Sequence, residues 1–264
     1  MAILERHDSN GIATLHLNAP ERLNALSDEM LAALKAEIDR LHKDTDTDTR
    51  VVVIAGRGKA FCAGHDLREM TAGRQAEDGG AAYFADLFSR CTEVMLGLQQ
   101  IPQPVIAQVH GIATAAGCQL VASCDLAVAA EGTRFGVNGV NIGLFCSTPM
   151  VALSRNIHRK QAFEMLTTGE FIDASRAAEL GLINRTAPPE QLEAETRALA
   201  ETVASKLGAA VRIGKRAFYD QLSLPTADAY AYTGAVMVEN LMLDDTIEGI
   251  DAFLQKRPPS WSKA

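Results

Sequence analysis

Aromatic residues are scarce, at 5% of the 264, and there is a single tryptophan. So few rings build no base-stacking platform. With 33 acidic residues against 25 basic ones, a net charge of −8, no cationic face for nucleic acid is expected either. The five cysteines (Cys62, Cys91, Cys118, Cys124 and Cys146) are odd in number and contain no CxxC pair. That excludes a closed disulfide framework and a thiolate zinc site, and points to reduced thiols in a cytoplasmic compartment. The six histidines show no HxxxH pairing, so no metal site is expected. The most apolar stretch, residues 105–130, is broken by Gln108, His110, Gln119 and Asp125. No uncharged apolar run of about 20 residues survives, and no membrane span is expected. The opening Met1-Ala2-Ile3-Leu4-Glu5-Arg6 resembles neither a secretion signal nor a basic leader, which again suits the cytoplasm.

Several catalytic signatures are missing as well. Gly56-Arg57-Gly58-Lys59-Ala60 follows an apolar run, but the gap between its glycines is too short for a phosphate loop. Ala60 stands where a magnesium-holding hydroxyl belongs, and Phe61 occupies the third glycine position of a dinucleotide fingerprint. GxSxG is absent, which removes the α/β-hydrolase nucleophile elbow.

What is present is an ordinary globular composition, 47% apolar and 22% charged. At roughly 150 residues per domain the length suits one large domain or two small ones. Ile12–Leu17 alternates and reads as a strand. Ser27 is placed to cap a helix carrying Met30, Leu31, Leu34, Ile38 and Leu41 at helical spacing, and residues 44–48 form a polar Asp/Thr loop. Val51–Ala55, Val105–Val109 and Leu126–Ala129 read as buried strands, and residues 80–100 as a long helix stopped by Pro102 and Pro104. Beyond Pro149 the pattern is nearly all helical, with one short strand expected at residues 181–184. The expected class is therefore α/β, with a helical C-terminal part.

Two segments stand out, each directly after a buried strand. They are Lys59-Ala60-Phe61-Cys62-Ala63-Gly64-His65-Asp66-Leu67 and His110-Gly111-Ile112-Ala113-Thr114-Ala115-Ala116-Gly117-Cys118-Gln119. Small residues let a backbone approach another group closely, and the unpaired N–H groups at the start of a helix attract a negative oxygen. Spacing alone favours strand ends that simply pack tightly, with the glycines as turn residues.

These residues resemble the enoyl-CoA hydratase/isomerase family, whose members share the crotonase fold. The family's AFxAGxDL, NGxAxGGG and CD segments correspond to Ala60–Leu67, His110–Gly117 and Cys124-Asp125. Pro20-Glu21-Arg22-Leu23-Asn24-Ala25-Leu26 is similar to its P-x-x-x-N-A-L motif, Thr168-Gly169-Glu170 to its TG-[DE] motif, and Glu248–Arg257 to its C-terminal EGxxAFxxKR. The resemblance implies a crotonase-like ββα spiral core over residues 1–195 and a helical trimerisation region over residues 196–264, assembled as a homotrimer or a dimer of trimers. It implies an acyl-CoA thioester as partner, with coenzyme A as part of the substrate and no metal or prosthetic group. The thioester oxygen would rest between the backbone N–H groups of His65 and Ala116, each worth roughly 3 kcal/mol to a developing negative charge. Arg22, Ala25, Ala63, His65, Asp66, Leu67, Phe253 and Lys256 would contact coenzyme A.

The pattern breaks where the family's hydratases carry two glutamates. Counting along the motifs places these at Gln119 and Gly139. An amide transfers no proton near neutral pH, and each lost acid–base role costs about 10²–10⁴ in rate. The resemblance therefore leaves three readings: a nominal lyase or isomerase with weak hydratase activity, an enzyme running base-free thioester chemistry, and a noncatalytic acyl-CoA-binding protein. The His65 imidazole either titrates within the site or points away and supplies only its main-chain N–H. Asp66 is expected to fix a turn, Cys118 and Cys124 to lie in the core, and Cys146 to sit on a pocket loop. Asn138 and Asn141 are neutral groups suited to orienting water or an acyl group.

Overall fold

A computed structural model describes residues 2–43 and 49–261. The Asp/Thr loop expected at 44–48 lies outside the described residues. The chain runs β1 (Leu4–Ser9), β2 (Ile12–Leu17), α1 (Asp28–Lys43), β3 (Val51–Gly56), α2 (Leu67–Gly73), α3 (Ala81–Gln100), β4 (Val105–Val109), β5 (Ile112–Thr114) and α4 (Ala116–Ser123). It continues through β6 (Leu126–Ala130), β7 (Arg134–Gly136), α5 (Pro149–Asn156), α6 (Arg159–Thr168), β8 (Ile172–Asp173), α7 (Ala174–Leu180) and β9 (Arg185–Ala187). Four helices follow: α8 (Leu192–Ala204), α9 (Gly208–Gln221), α10 (Thr226–Leu241) and α11 (Asp244–Leu254). The strand expected at 181–184 forms slightly later, as β9. Gly181 instead ends α7 in the left-handed conformation, its N–H on the Ala177 and Ala178 carbonyls.

Two sheets share the strands. The larger has the order β1-β2-β3-β4-β6-β9, antiparallel at β1/β2 and parallel elsewhere. The smaller is β5-β7-β8, and two single-residue parallel bridges, Cys62↔Ala113 and Leu26↔His65, extend its order outward. Going along the chain, each repeat places one strand in the large sheet and the next segment in the small one, in the same sequence. That stepping is the spiral.

The inner strands are apolar throughout because both faces are covered. On β3, Val52 and Ile54 join the main core with Leu31, Leu34 and Ile38 of α1 and Val94 and Leu98 of α3. Val51 and Val53 point the other way, to Leu192 and Leu199 of α8. Each such side chain contributes about 1.5–3 kcal/mol by leaving water. Ser27 caps α1 as its position suggests, its hydroxyl accepting from the Met30 N–H at 3.2 Å.

The C-terminal helices are held differently. Lys215 on α9 is buried and donates to the Leu98 and Gln103 carbonyls, both at 2.8 Å, and to Asp125 Oδ2 at 2.7 Å. Asp125 also accepts from Tyr219 Oη at 2.8 Å and from the Val105 N–H at 2.6 Å. One carboxylate thus ties α9 to the entrance of β4. By contrast α10 has no buried residue, and it exposes Tyr230, Met237, Val238 and Leu241.

Replacing Lys215 with methionine leaves the part-buried Asp125 carboxylate without its cation, held only by Tyr219 and the Val105 N–H. The expected loss is about 3–5 kcal/mol of stability, read from urea unfolding. A loss under about 1 kcal/mol would show that this ion pair does not fasten α9.

Candidate active site

The two glycine-bearing segments meet through their backbones. The Cys62 N–H donates to the Ile112 carbonyl and the Thr114 N–H to the Cys62 carbonyl, both at 3.1 Å. Gly117 continues this contact, since a Cβ there would stand 2.2 Å from the Cys62 carbonyl oxygen. A Cβ built on Gly64 would lie 3.0 Å from the Ala115 methyl and 3.3 Å from the Ala116 nitrogen. The His65 and Ala116 ends of the segments are therefore neighbours. Among the described residues no backbone carbonyl accepts from either amide.

Ala115 sets the direction of the Ala116 N–H. Its φ of 50° and ψ of −119° belong to glycine territory, and the turn it makes flips the 115–116 peptide at the mouth of α4. An alanine held there costs about 1–3 kcal/mol.

Both amide-bearing residues line a cavity of about 210 Å³, with Phe88 of α3, Ala115 and the loop residues Leu144 to Pro149 as further walls. No aspartate or glutamate is among the lining residues. His65 stacks edge-on against Phe88 with ring centroids 5.7 Å apart, and neither ring nitrogen has a hydrogen-bond partner. Burial pushes the imidazole below its ordinary value, with the nearby Leu26 main chain opposing and the Arg90 guanidinium adding to the shift. The ring is therefore neutral at physiological pH. The Cys146 thiol also lines the cavity, and burial raises it, so it stays protonated.

Gln119 lies one turn into α4, buried, with its Oε1 unpartnered. Gly139 is buried beneath the 143–148 loop: its N–H meets Cys146 Sγ at 3.4 Å, and a Cβ there would fall 2.3 Å from the Leu144 carbonyl oxygen. Neither residue is part of the cavity lining.

Arg22, Ala25, Ala63, Asp66 and Leu67 are gathered by backbone bonds from Ala63 to Leu23 (3.0 Å) and from Leu26 to Gly64 (2.7 Å). Asp66 does fix a turn, capping α2 through the Arg68 N–H at 2.8 Å, and Arg22 pairs with it at 3.1 Å. Phe253 lies on α11 and Lys256 just beyond it, both exposed, and among the described residues no backbone hydrogen bond joins either to this cluster. Asn138 accepts from the Thr114 hydroxyl and Asn141 donates to the Gly169 carbonyl, so both serve the frame. Cys118 and Cys124 are buried in the core.

The pattern of an entire family is carried by this arrangement. A family model described as enoyl-CoA hydratase/isomerase matches residues 7–264. The chain belongs to the enoyl-CoA hydratase/isomerase family. It is 48% identical over 253 residues to mouse enoyl-CoA hydratase domain-containing protein 3, mitochondrial, covering 96% of this chain and 82% of that one. Among solved structures, an enoyl-CoA hydratase of Mycobacterium smegmatis matches with a TM-score of 0.93 and 53% identity, over 98% of both chains. Human enoyl-CoA hydratase domain-containing protein 3 matches with a TM-score of 0.92 and 45% identity, over 98% of this chain and 100% of that one. The crotonase fold expected from the motifs is thereby established.

One expectation is overturned. The mouse, rat, frog, human and zebrafish relatives, 44–48% identical, are all named mitochondrial. Those names stand against the cytoplasmic location inferred from the cysteines and the opening residues. Reduced thiols do not distinguish one reducing compartment from another.

Within the family frame, sequence reasoning missed Phe88, which sits on an ordinary helical repeat and gives no local signal. Asn24 of the N-A-L motif proves to be a bracket. Buried with φ at 52°, it donates to the Arg57 and Ala60 carbonyls at 2.9 and 2.7 Å and accepts from the Ala19 N–H at 2.9 Å.

Two outcomes follow from the geometry. Ala115→Gly relieves the backbone strain but loosens the unfolded chain, for a net gain of about 1 kcal/mol, or roughly 2–4 °C in thermal midpoint; a lowered midpoint would contradict the strain assignment. The second concerns pH. Because the native His65 pKa lies below its ordinary 6.5, the unfolded chain takes up the proton first. The stability this residue contributes is full above pH 6.5 and is lost as pH falls below it. His65→Gln is expected to flatten the decline in stability between about pH 7 and 5; parallel curves for the two proteins would refute the burial effect.

Proposed function

We propose that the protein processes acyl-CoA thioesters by holding the thioester oxygen between the backbone N–H groups of His65 and Ala116. The observation carrying this reading is that two amides without backbone acceptors flank one largely apolar cavity. As the carbonyl becomes an enolate or a tetrahedral intermediate, negative charge gathers on that oxygen. Donors already fixed in a water-poor site stabilise it without reorganising, and removal of one typically costs 10²–10³ in rate. The Ala116 N–H also opens α4, so the helix dipole adds to the effect. In this reading coenzyme A enters as part of the substrate, no prosthetic group takes part, and Arg22, Asp66 and Leu67 border its path.

Ordinary hydration is not the reaction we assign. With Gln119 and Gly139 at the counted positions and no carboxylate in the lining, nothing there both activates water and protonates carbon. Steps in which the oxyanion site dominates, such as decarboxylation or thioester cleavage, suit it better. The same lack of carboxylates favours one alternative, a noncatalytic acyl-CoA-binding protein. We further propose that residues 196–264 mediate assembly into a trimer or a dimer of trimers, because α10 and α11 leave large apolar side chains uncovered, Phe253 at 82% exposure among them.

The decisive experiment incubates the protein with a panel of acyl-CoA thioesters and follows products by mass spectrometry, with Ala116→Pro as the comparison. Proline deletes the proposed donor. A variant with native circular dichroism is expected to lose at least about 100-fold in turnover. Unchanged turnover in the folded variant would refute the site. Binding of thioesters with no product from any of them would favour the noncatalytic alternative. Crotonyl-CoA should keep its enoyl absorbance, and Gln119→Glu reports whether a carboxylate at that position introduces hydration.

A further inference from the structure

We propose that the Ala115 methyl is a specificity-determining group, reserving the cavity for acyl chains unbranched at the carbon next to the thioester. The inference rests on the acyl-CoA reading above and adds a substrate class to it.

Three observations converge on this side chain. The backbone at 115 has the φ and ψ of a position that glycine occupies without strain, yet it carries a methyl. That methyl is half-buried and forms part of the cavity wall. It also occupies the gap between the two amide-bearing segments, because a Cβ on Gly64 would come within 3.0 Å of it. A carbonyl resting on the His65 and Ala116 amides has its α-carbon one bond from the carbonyl carbon. The α-carbon therefore passes beside the Ala115 methyl. A linear chain presents only hydrogens there and continues toward Phe88, Leu144 and Phe145. A second carbon on the α-position has to share the space the methyl already fills. The neighbouring structure does not yield easily. Gly117 is locked against the Cys62 carbonyl, and Ala116 is itself buried, so the turn cannot back away from the ligand.

The test compares butyryl-CoA with isobutyryl-CoA, isomers that differ only in the branch, with free coenzyme A as reference. Affinities are measured by calorimetry on the wild-type protein and on Ala115→Gly, whose fold is checked by thermal melting. The wild type is expected to prefer the linear thioester by about tenfold or more, the scale of one misplaced methyl group. Ala115→Gly is expected to reduce that preference to within about threefold by gaining affinity for the branched isomer. Equal binding of both isomers by the wild type, or an undiminished preference in Ala115→Gly, would overturn the assignment while leaving the acyl-CoA reading intact. If neither thioester binds more tightly than coenzyme A, the acyl-CoA reading itself fails and this inference goes with it.

Discussion

The site depends on one close contact between main chains. The strand end at Cys62–His65 and the segment Ile112–Gly117 approach so nearly that the Cys62 carbonyl lies where a Gly117 Cβ would be. Only glycine tolerates that approach, and the 3.1 Å bonds at Cys62 and Thr114 hold it in register. Asn24 reinforces it from behind by fastening the 57–60 loop. The spiral repeats that surround the contact supply rigidity. β3 and β4 are neighbours in the large sheet, so the segments that leave them are already adjacent when they reach the small one.

What that contact creates is electrostatic. Around the His65 and Ala116 amides the side chains contribute little charge: the imidazole is neutral, the thiol is protonated, and the remaining walls are mostly apolar. In such a medium a fixed dipole acts on a nascent oxyanion with little competition from water. The absence of a lining carboxylate has two consequences. On the proposed reading it removes the means of moving protons, and it removes a negative charge that would oppose anion formation on a thioester.

Much of this was legible in the sequence, for reasons that differ from residue to residue. The apolar runs at Val51, Val105 and Leu126 could only be doubly covered strands, and they are. The small-residue segments announced close backbone approach. Asp66 was recognisable as a turn-fixing residue only through the family motif that carries it. Other features were beyond local reading. β9 lies a few residues past its expected place because hydrogen-bond partners on β6, not propensity, fix its register. Phe88 becomes a cavity wall only through the packing of α3. The angle that strains Ala115 is invisible in a string of small residues, since nothing in Thr-Ala-Ala-Gly tells which peptide is flipped.

The two positions counted against the family's glutamates, 119 and 139, also differ in kind, and only coordinates separate them. Gln119 is nearly isosteric with glutamate, so a single substitution introduces a carboxylate without repacking α4. Gly139 is another matter. The Leu144 carbonyl and Cys146 Sγ occupy the volume that any side chain at 139 would need, at 2.3 and 2.9 Å from its Cβ. Placing a carboxylate there requires the 143–148 loop to move, and that loop is also the cavity wall. The shape of the pocket therefore leaves no room for a carboxylate at 139. On the proposed acyl-CoA reading, a cavity wall whose backbone excludes a carboxylate at 139 leaves the chemistry, or the binding, to the paired amides.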